Sequence, residues 1–139
     1  MNYDKILAAL ELRVQEVSGI PVVAYENVKF DPKTGTPFVR TRFIPISRTQ
    51  KTVGVGADNK PFWLDYKGIF QLVLYMPESE GQKATNDLVN AICDKFEAAT
   101  DLEFDGVYVT INKVERARGI NETPWFKTPV SVYWQSFSK

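Results

Sequence analysis

Histidine, the side chain most often used as a general base or metal ligand, is absent from the 139 residues of this sequence. The single cysteine, Cys93, therefore has no imidazole to activate it and no second thiol for an intrachain disulfide. Its place beside the core positions of a predicted helix indicates a buried structural thiol. Carboxylate pairs such as Glu78/Glu80 and Asp101/Glu103 come with no second catalytic group, so surface solubility explains them. The sequence predicts no enzyme, no metal site and no cofactor.

Two glycines, Gly54 and Gly56, could suggest a phosphate-binding turn. Such a turn needs a strand before it and a helix N-terminus after it. Here the glycines are followed by the polar segment 58–61 and then by another predicted strand. We therefore interpret them as a source of backbone freedom in a loop.

Four basic residues, Arg40, Arg42, Arg48 and Lys51, form a row along and beyond one predicted strand. A solvated strand face whose aliphatic stems pack on aromatic rings would explain the row. It could also be a protein interface or a stripe that faces phosphate groups. Net charge does not favour a dedicated DNA-coating protein, because 17 basic residues balance 17 acidic ones. These interpretations of the row stay open on the residues alone.

Hydrophobic periodicity predicts the elements that position these residues. Helices are predicted over residues 3–17 and from the Ser79 N-cap, with Gln82 completing a capping box, to about residue 98. Strands are predicted over residues 22–25, 37–46, 66–76, 107–114 and 125–137. The order α-β-β-β-α-β-β predicts an α+β fold with a mostly antiparallel sheet packed by two helices. The length predicts one domain over residues 1–139.

The strand over residues 66–76 is apolar on both faces, with only Gln71 interrupting it. This pattern is typical of a central strand covered on both sides, and we expect a helix on one side and a neighbouring subunit on the other. Pro45 in the preceding strand predicts an edge position or a bulge. Residues 49–62, between these two central strands, form a loop too long for a tight hairpin, and such loops are often functional.

In order and spacing, nearly the whole sequence resembles the tail terminators, also called tail completion proteins, of long-tailed bacteriophages. The resemblance is carried by residues 20–30 (IPVVAYENVKF), residues 35–40 (GTPFVR), the Gly54/Gly56 loop with residues 66–77 (YKGIFQLVLYMP), the Glu80-Gly81 start of the second helix, and residues 125–134 (WFKTPVSVYW).

The resemblance implies a structural subunit that forms a hexameric ring without catalysis or cofactor. Such a ring caps the head-proximal end of the tail tube, halts tube polymerisation and provides the docking surface for the head–neck connector. The implied partners are further copies of the chain, the tail tube protein and the connector or stopper protein. DNA would pass through the lumen without sequence-specific binding, and no membrane is involved. The implied location is the tail or neck of the virion, after assembly in the host cytoplasm.

We expect protein interfaces at the arginine row and at the loop between the two central strands. We expect the loop to contact the last tube ring or an adjacent subunit. The expected interface residues are Arg40, Arg42, Arg48, Lys51, Val53, Val55, Asp58, Lys60, Phe62 and Trp63. Two alternatives stay open: another neck or connector-stopper subunit, and a nucleic-acid-binding module that uses the arginine row. A small enzyme or ligand-binding domain is the least favoured class, because the sequence has no histidine and no catalytic or phosphate-binding motif.

Overall fold

Two helices cover one face of a curled sheet in a computed structural model of the chain, which describes residues 3–50 and 64–138. In that part of the chain the elements are α1 (Tyr3–Gln15), β1 (Val22–Ala24), β2 (Phe38–Gln50), β3 (Leu64–Pro77), α2 (Lys83–Lys95), β4 (Asp101–Phe104), β5 (Val107–Arg116), β6 (Ile120–Glu122) and β7 (Trp125–Ser138). The predicted α+β class, with two helices and a mostly antiparallel sheet, is confirmed.

The strands lie side by side in the order β1-β2-β3-β7-β5-β4, and β6 pairs with the first residues of β7. Neighbouring strands are antiparallel except β1 and β2, which run parallel. The long strand β3 pairs with β2 on one side and with β7 on the other, so its predicted central position is confirmed.

The core lies between the helices and one face of the sheet, which we call the inner face. Alternate residues of each strand point to this face, because successive side chains in a strand lie on opposite sides. Fully buried inner-face residues include Phe70, Leu72 and Leu74 of β3, Val109 and Ile111 of β5, and Val130, Val132 and Trp134 of β7. They pack against Ile6, Leu10 and Val14 of α1 and against Leu88 and Ile92 of α2. The opposite face of the sheet, the outer face, is not covered by either helix.

The start of α2 differs from the sequence-based prediction. The helix begins at Lys83, and Gln82 before it makes no side-chain capping hydrogen bond. Ser79 and Gly81 have φ angles of 71° and 77°, which are left-handed conformations that cannot form the first turn of a helix. The predicted capping box on Ser79 is therefore wrong. The helix also ends at Lys95, three residues before the predicted end.

Two short strands were not predicted. β4 and β5 form a hairpin whose two turn residues, Asp105 and Gly106, have φ angles of 49° and 81°. β4 has only four residues, two of them carboxylates, so it shows no apolar strand pattern. β6 lies between the strands predicted over residues 107–114 and 125–137, and its three residues are exposed.

A β-bulge interrupts the pairing of β2 with β3. Pro45 lies opposite Gly68 and Ser47 lies opposite Lys67, so Ile46 is an extra residue without a partner. The N–H of Phe43 points away from β3, because it donates to the Glu26 carboxylate at 2.7 Å. Pro45, two residues further on, faces the same way, so its missing N–H removes no hydrogen bond to β3. The bulge predicted at Pro45 is confirmed.

Candidate functional site

The outer face carries a depression where β2, β3 and β7 lie side by side. Strand register directs five polar or charged side chains into it: Arg40 and Arg42 from β2, Gln71 and Tyr75 from β3, and Lys127 from β7. We call these five residues the cationic patch. The sequence predicted the two arginines, whereas Lys127 joins them only through the pairing of β3 with β7.

Arg40 is fixed by aromatic rings. Its guanidinium carbon lies 5.5 Å from the ring centre of Phe38 and 5.9 Å from those of Phe30 and Tyr75. Phe38 and Tyr75 are themselves stacked, with centroids 4.5 Å apart, and Trp125 meets Phe38 edge-on at 5.1 Å. Cation–π contacts of this kind contribute about 0.5–1 kcal/mol at partly exposed sites. Arg40 thus has a packing role.

Arg42 and Lys127 differ in how far their charges are compensated. Lys127 Nζ lies 2.7 Å from the Glu122 carboxylate, and this hydrogen bond raises the pKa of Lys127. Arg42 is exposed, and among residues 3–50 and 64–138 no carboxylate lies within ion-pair distance of it. Glu26, also in the depression, uses one oxygen to accept the Phe43 N–H. The patch therefore keeps an excess of positive charge.

Arg48 lies on the opposite face from Arg40 and Arg42. Arg42 is opposite Gln71, on the outer face, whereas Arg48 is opposite Tyr66, whose buried ring points to the inner face. The extra residue Ile46 shifts the alternation by one position. Residues predicted as one basic row are thus divided between two surfaces. We call the exposed residues Ile46 and Arg48 the β2 bulge.

A third surface is an apolar groove along α1. It is lined by Ala8, Glu11, Leu12, Gln15, Tyr25, Val28 and Phe104, and we call it the α1 groove. Leu12 and Val28 are 54% and 62% exposed, which is high for large apolar side chains. Partial burial of Glu11 raises the pKa of its carboxyl. The Gln15 amide donates to the Tyr25 hydroxyl at one end of the groove. No local pattern in the sequence predicts this groove, because it forms only where the segment after β1 and the β4–β5 hairpin meet α1.

The residues considered for catalysis are not brought together. Glu78, Asp101 and Glu103 are on the surface, and each accepts a hydrogen bond from a neighbouring hydroxyl or backbone N–H. Burial is the main cause that raises the pKa of the half-buried Cys93 thiol, which disfavours the nucleophilic thiolate. Within the described ranges, no group of three or more acidic or cysteine side chains could hold a metal ion.

Seven of the predicted interface residues lie outside the described residues. They are Lys51, Val53, Val55, Asp58, Lys60, Phe62 and Trp63. Neither helix in the described part of the chain has the length and apolar character required to cross a membrane.

One comparison with known proteins identifies a family. A family model described as phage tail terminator protein matches residues 5–134. Ten chains of solved structures match the fold. One of them, whose name states no function, superposes with a TM-score of 0.75 at 20% sequence identity, covering 98% of this chain and 96% of its own. At that identity the likeness shows the fold alone. No curated protein matches the sequence.

Proposed function

This chain belongs to the phage tail terminator family, and from that premise we propose that it forms the ring that closes the head-proximal end of the tail tube. Family membership gives it a structural role in the phage tail. The proposed ring, a hexamer, stops tube polymerisation and presents the docking surface for the head–neck connector. DNA passes through its lumen without sequence-specific readout.

The observation that carries this proposal is the uncovered outer face of a central strand. On β3, Phe70, Leu72 and Leu74 are fully buried beneath the helices. On the outer face of the same strand Val73 is buried, but Ile69 and Tyr75 are only half-buried, so the cover of this face is incomplete. If a neighbouring subunit covers the outer face in the assembled ring, that face should be partly exposed in the free subunit. An enzyme would instead require a cleft with convergent catalytic groups, and the described residues do not form one.

The arginines fit this proposal as interface residues. Arg42 and Arg48 are exposed and have no ion-pair partner in the part of the chain described, so they are available to a neighbouring subunit. Reversing their charge should abolish rings, and DNA ejection from any particles that still form should stay normal. Intact rings after charge reversal would contradict an interface role.

The loop over residues 51–62 is proposed to contact the last tube ring or an adjacent subunit. Its length and its glycine, asparagine and proline content support this. Deleting residues 53–60 should leave the fold intact and impair tail completion. Normal tail length and normal head joining in that deletion would contradict the proposed contact.

The decisive experiment removes the gene from the phage and supplies the protein in trans. Electron microscopy should then show overlong or headless tails without the protein and tails of normal length with it. Unjoined heads that leak DNA, beside tails of normal length, would instead identify a connector-stopper subunit. Salt-dependent binding of the isolated protein to duplex DNA, with normal tails in the deletion, would identify a nucleic-acid-binding module.

A further inference from the structure

Two exposed surfaces of this chain have complementary shape, polarity and charge. The α1 groove is a concave apolar surface with a carboxylate, Glu11, in its lining. The β2 bulge projects an apolar side chain, Ile46, which is 62% exposed, and the exposed residue Arg48 follows two positions later. The two surfaces share no residue, so one copy of the chain can use both at once.

We propose that the α1 groove of one subunit receives the β2 bulge of the next, with Ile46 against Leu12 and Val28 and with Arg48 paired to Glu11. This assignment rests on the proposed ring and names the surfaces that close it. It places a second copy of this chain, rather than a tail tube subunit, in the groove.

The apolar part of the contact comes from side chains that burial would stabilise. Leu12, Val28 and Ile46 are each more than half exposed. Removing apolar surface from water contributes about 25 cal/mol per Å². The small side chain of Ala8 lies in the groove lining, which leaves room for a branched side chain from outside.

The charged part of the contact comes from two groups without an ion-pair partner in residues 3–50 and 64–138, Glu11 and Arg48. The groove already removes the Glu11 carboxylate partly from water, and this burial raises its pKa. The Arg48 guanidinium in the groove would offset the free-energy cost of partly burying the charged Glu11 carboxylate. The attraction would be effective because a partly desolvated ion pair is screened less than a fully exposed one.

The same charges disfavour contacts that pair like surfaces. Groove against groove would bring two Glu11 carboxylates together, and bulge against bulge would bring two Arg48 side chains together. A head-to-tail contact pairs unlike charges instead. Contacts between two different surfaces are the kind that generate closed rings.

A second copy could instead add a strand to the free edge of β2, but this alternative is weaker. Beyond the short β1, the free edge of β2 carries Pro45, which has no N–H, and Phe43, whose N–H is taken by Glu26. Proline and bulges are devices that prevent edge-to-edge pairing. The bulge therefore offers side chains to a partner rather than backbone hydrogen bonds.

Cysteine cross-linking in assembled tails tests the contact. Leu12→Cys and Ile46→Cys are combined in a Cys93→Ser background, and purified tails are treated with mild oxidant or a short bismaleimide. The expected result is a ladder of covalent oligomers on non-reducing gels, with no ladder from either single cysteine. The matched control replaces Ile46→Cys by Tyr108→Cys, because Tyr108 is 61% exposed but lies outside both surfaces.

Charge exchange provides a second, independent readout. Arg48→Glu should remove the ring species seen by native mass measurement, and adding Glu11→Arg should restore it. Glu11→Arg should not restore rings lost through Arg42→Glu, because Arg42 lies on the other face of the sheet. Rescue of both arginine variants, or of neither, would overturn the assignment.

The outcomes separate this inference from the proposed function. Tails that contain the protein but give no ladder, an equal ladder with the Tyr108→Cys control, dimers from Leu12→Cys alone, or a cross-link to the tube protein would overturn the groove contact and leave the terminator role standing. Tails of normal length and composition without the protein would overturn both.

Discussion

Arg42 and Arg48, six residues apart on one strand, lie on opposite faces of the sheet because Ile46 is an extra residue with no partner on β3. An even spacing in a regular strand would have placed them together. The bulge therefore gives the chain two separate cationic surfaces, one in the cationic patch and one in the β2 bulge. Predictions about charge should treat the two arginines as members of different sites.

The three arginines of β2 should differ in their effect on the stability of the subunit. Arg40→Ala removes packing on Phe38 and Tyr75 and should lower the free energy of unfolding by about 1 kcal/mol. Arg42→Ala and Arg48→Ala change exposed side chains and should stay within about 0.5 kcal/mol of the parent. Urea unfolding followed by fluorescence measures all three. Equal losses in the three variants would contradict the packing role of Arg40.

Gly68→Ala should destabilise the fold strongly. A Cβ at this position would lie 2.5 Å from Cζ2 of Trp134 and 2.7 Å from the carbonyl oxygen of Ile44, which leaves no room for a methyl group. Overpacking of this kind typically costs about 1–3 kcal/mol. Arg48→Ala is the control, because Arg48 is an exposed strand residue without an ion-pair partner among the described residues. A Gly68→Ala protein with the unfolding midpoint of the control would show that the indole can shift freely.

Glu11→Gln should change how stability depends on pH. Burial raises the pKa of Glu11 above 4.5, so the folded subunit binds the proton more tightly than the unfolded chain does. As pH rises from 4.5 through the raised folded value, the parent therefore loses stability that the glutamine variant keeps. Thermal unfolding of dilute protein at pH 4 and pH 7 should show the variant gaining on the parent at the higher pH.

The control for this measurement is Glu97→Gln, since Glu97 is exposed and lies outside the α1 groove. A difference from the parent that is constant with pH for Glu11→Gln, or that matches the control, would be inconsistent with the burial of Glu11.

Thr85→Val should stabilise the subunit by about 1 kcal/mol. The Thr85 hydroxyl is fully buried in α2 and has no hydrogen-bond partner among the described residues, and an unsatisfied buried polar group costs about 1–3 kcal/mol. Valine has a similar shape and a similar helix propensity. Thr110→Val is the comparison, because the Thr110 hydroxyl donates to Asp101 at 2.6 Å and its loss should not stabilise. Urea titration of the two variants tests this, and a destabilised Thr85→Val would refute the prediction.

Much of the architecture could be predicted from local patterns. Helical spacing of Leu10 and Val14 identified α1, and the two apolar faces of residues 66–76 identified β3 as a central strand. Hydrophobic periodicity reports such elements because it records which side of each element is buried. The start of α2 and the short strands β4 and β6 were missed. Their positions depend on left-handed residues such as Ser79 and on pairing with distant strands.

The sequence by itself determined the class of protein: an α+β subunit with no histidine, balanced charge and an ordered set of segments resembling tail terminators, which the match over residues 5–134 confirms. The tertiary structure alone decided which charges share a surface. Lys127 reaches Arg42 through strand pairing, Arg48 leaves it through a one-residue bulge, and Glu11 enters a groove closed by Phe104. These relationships depend on register and on contacts between residues far apart in the chain, and local residue patterns carry no record of either.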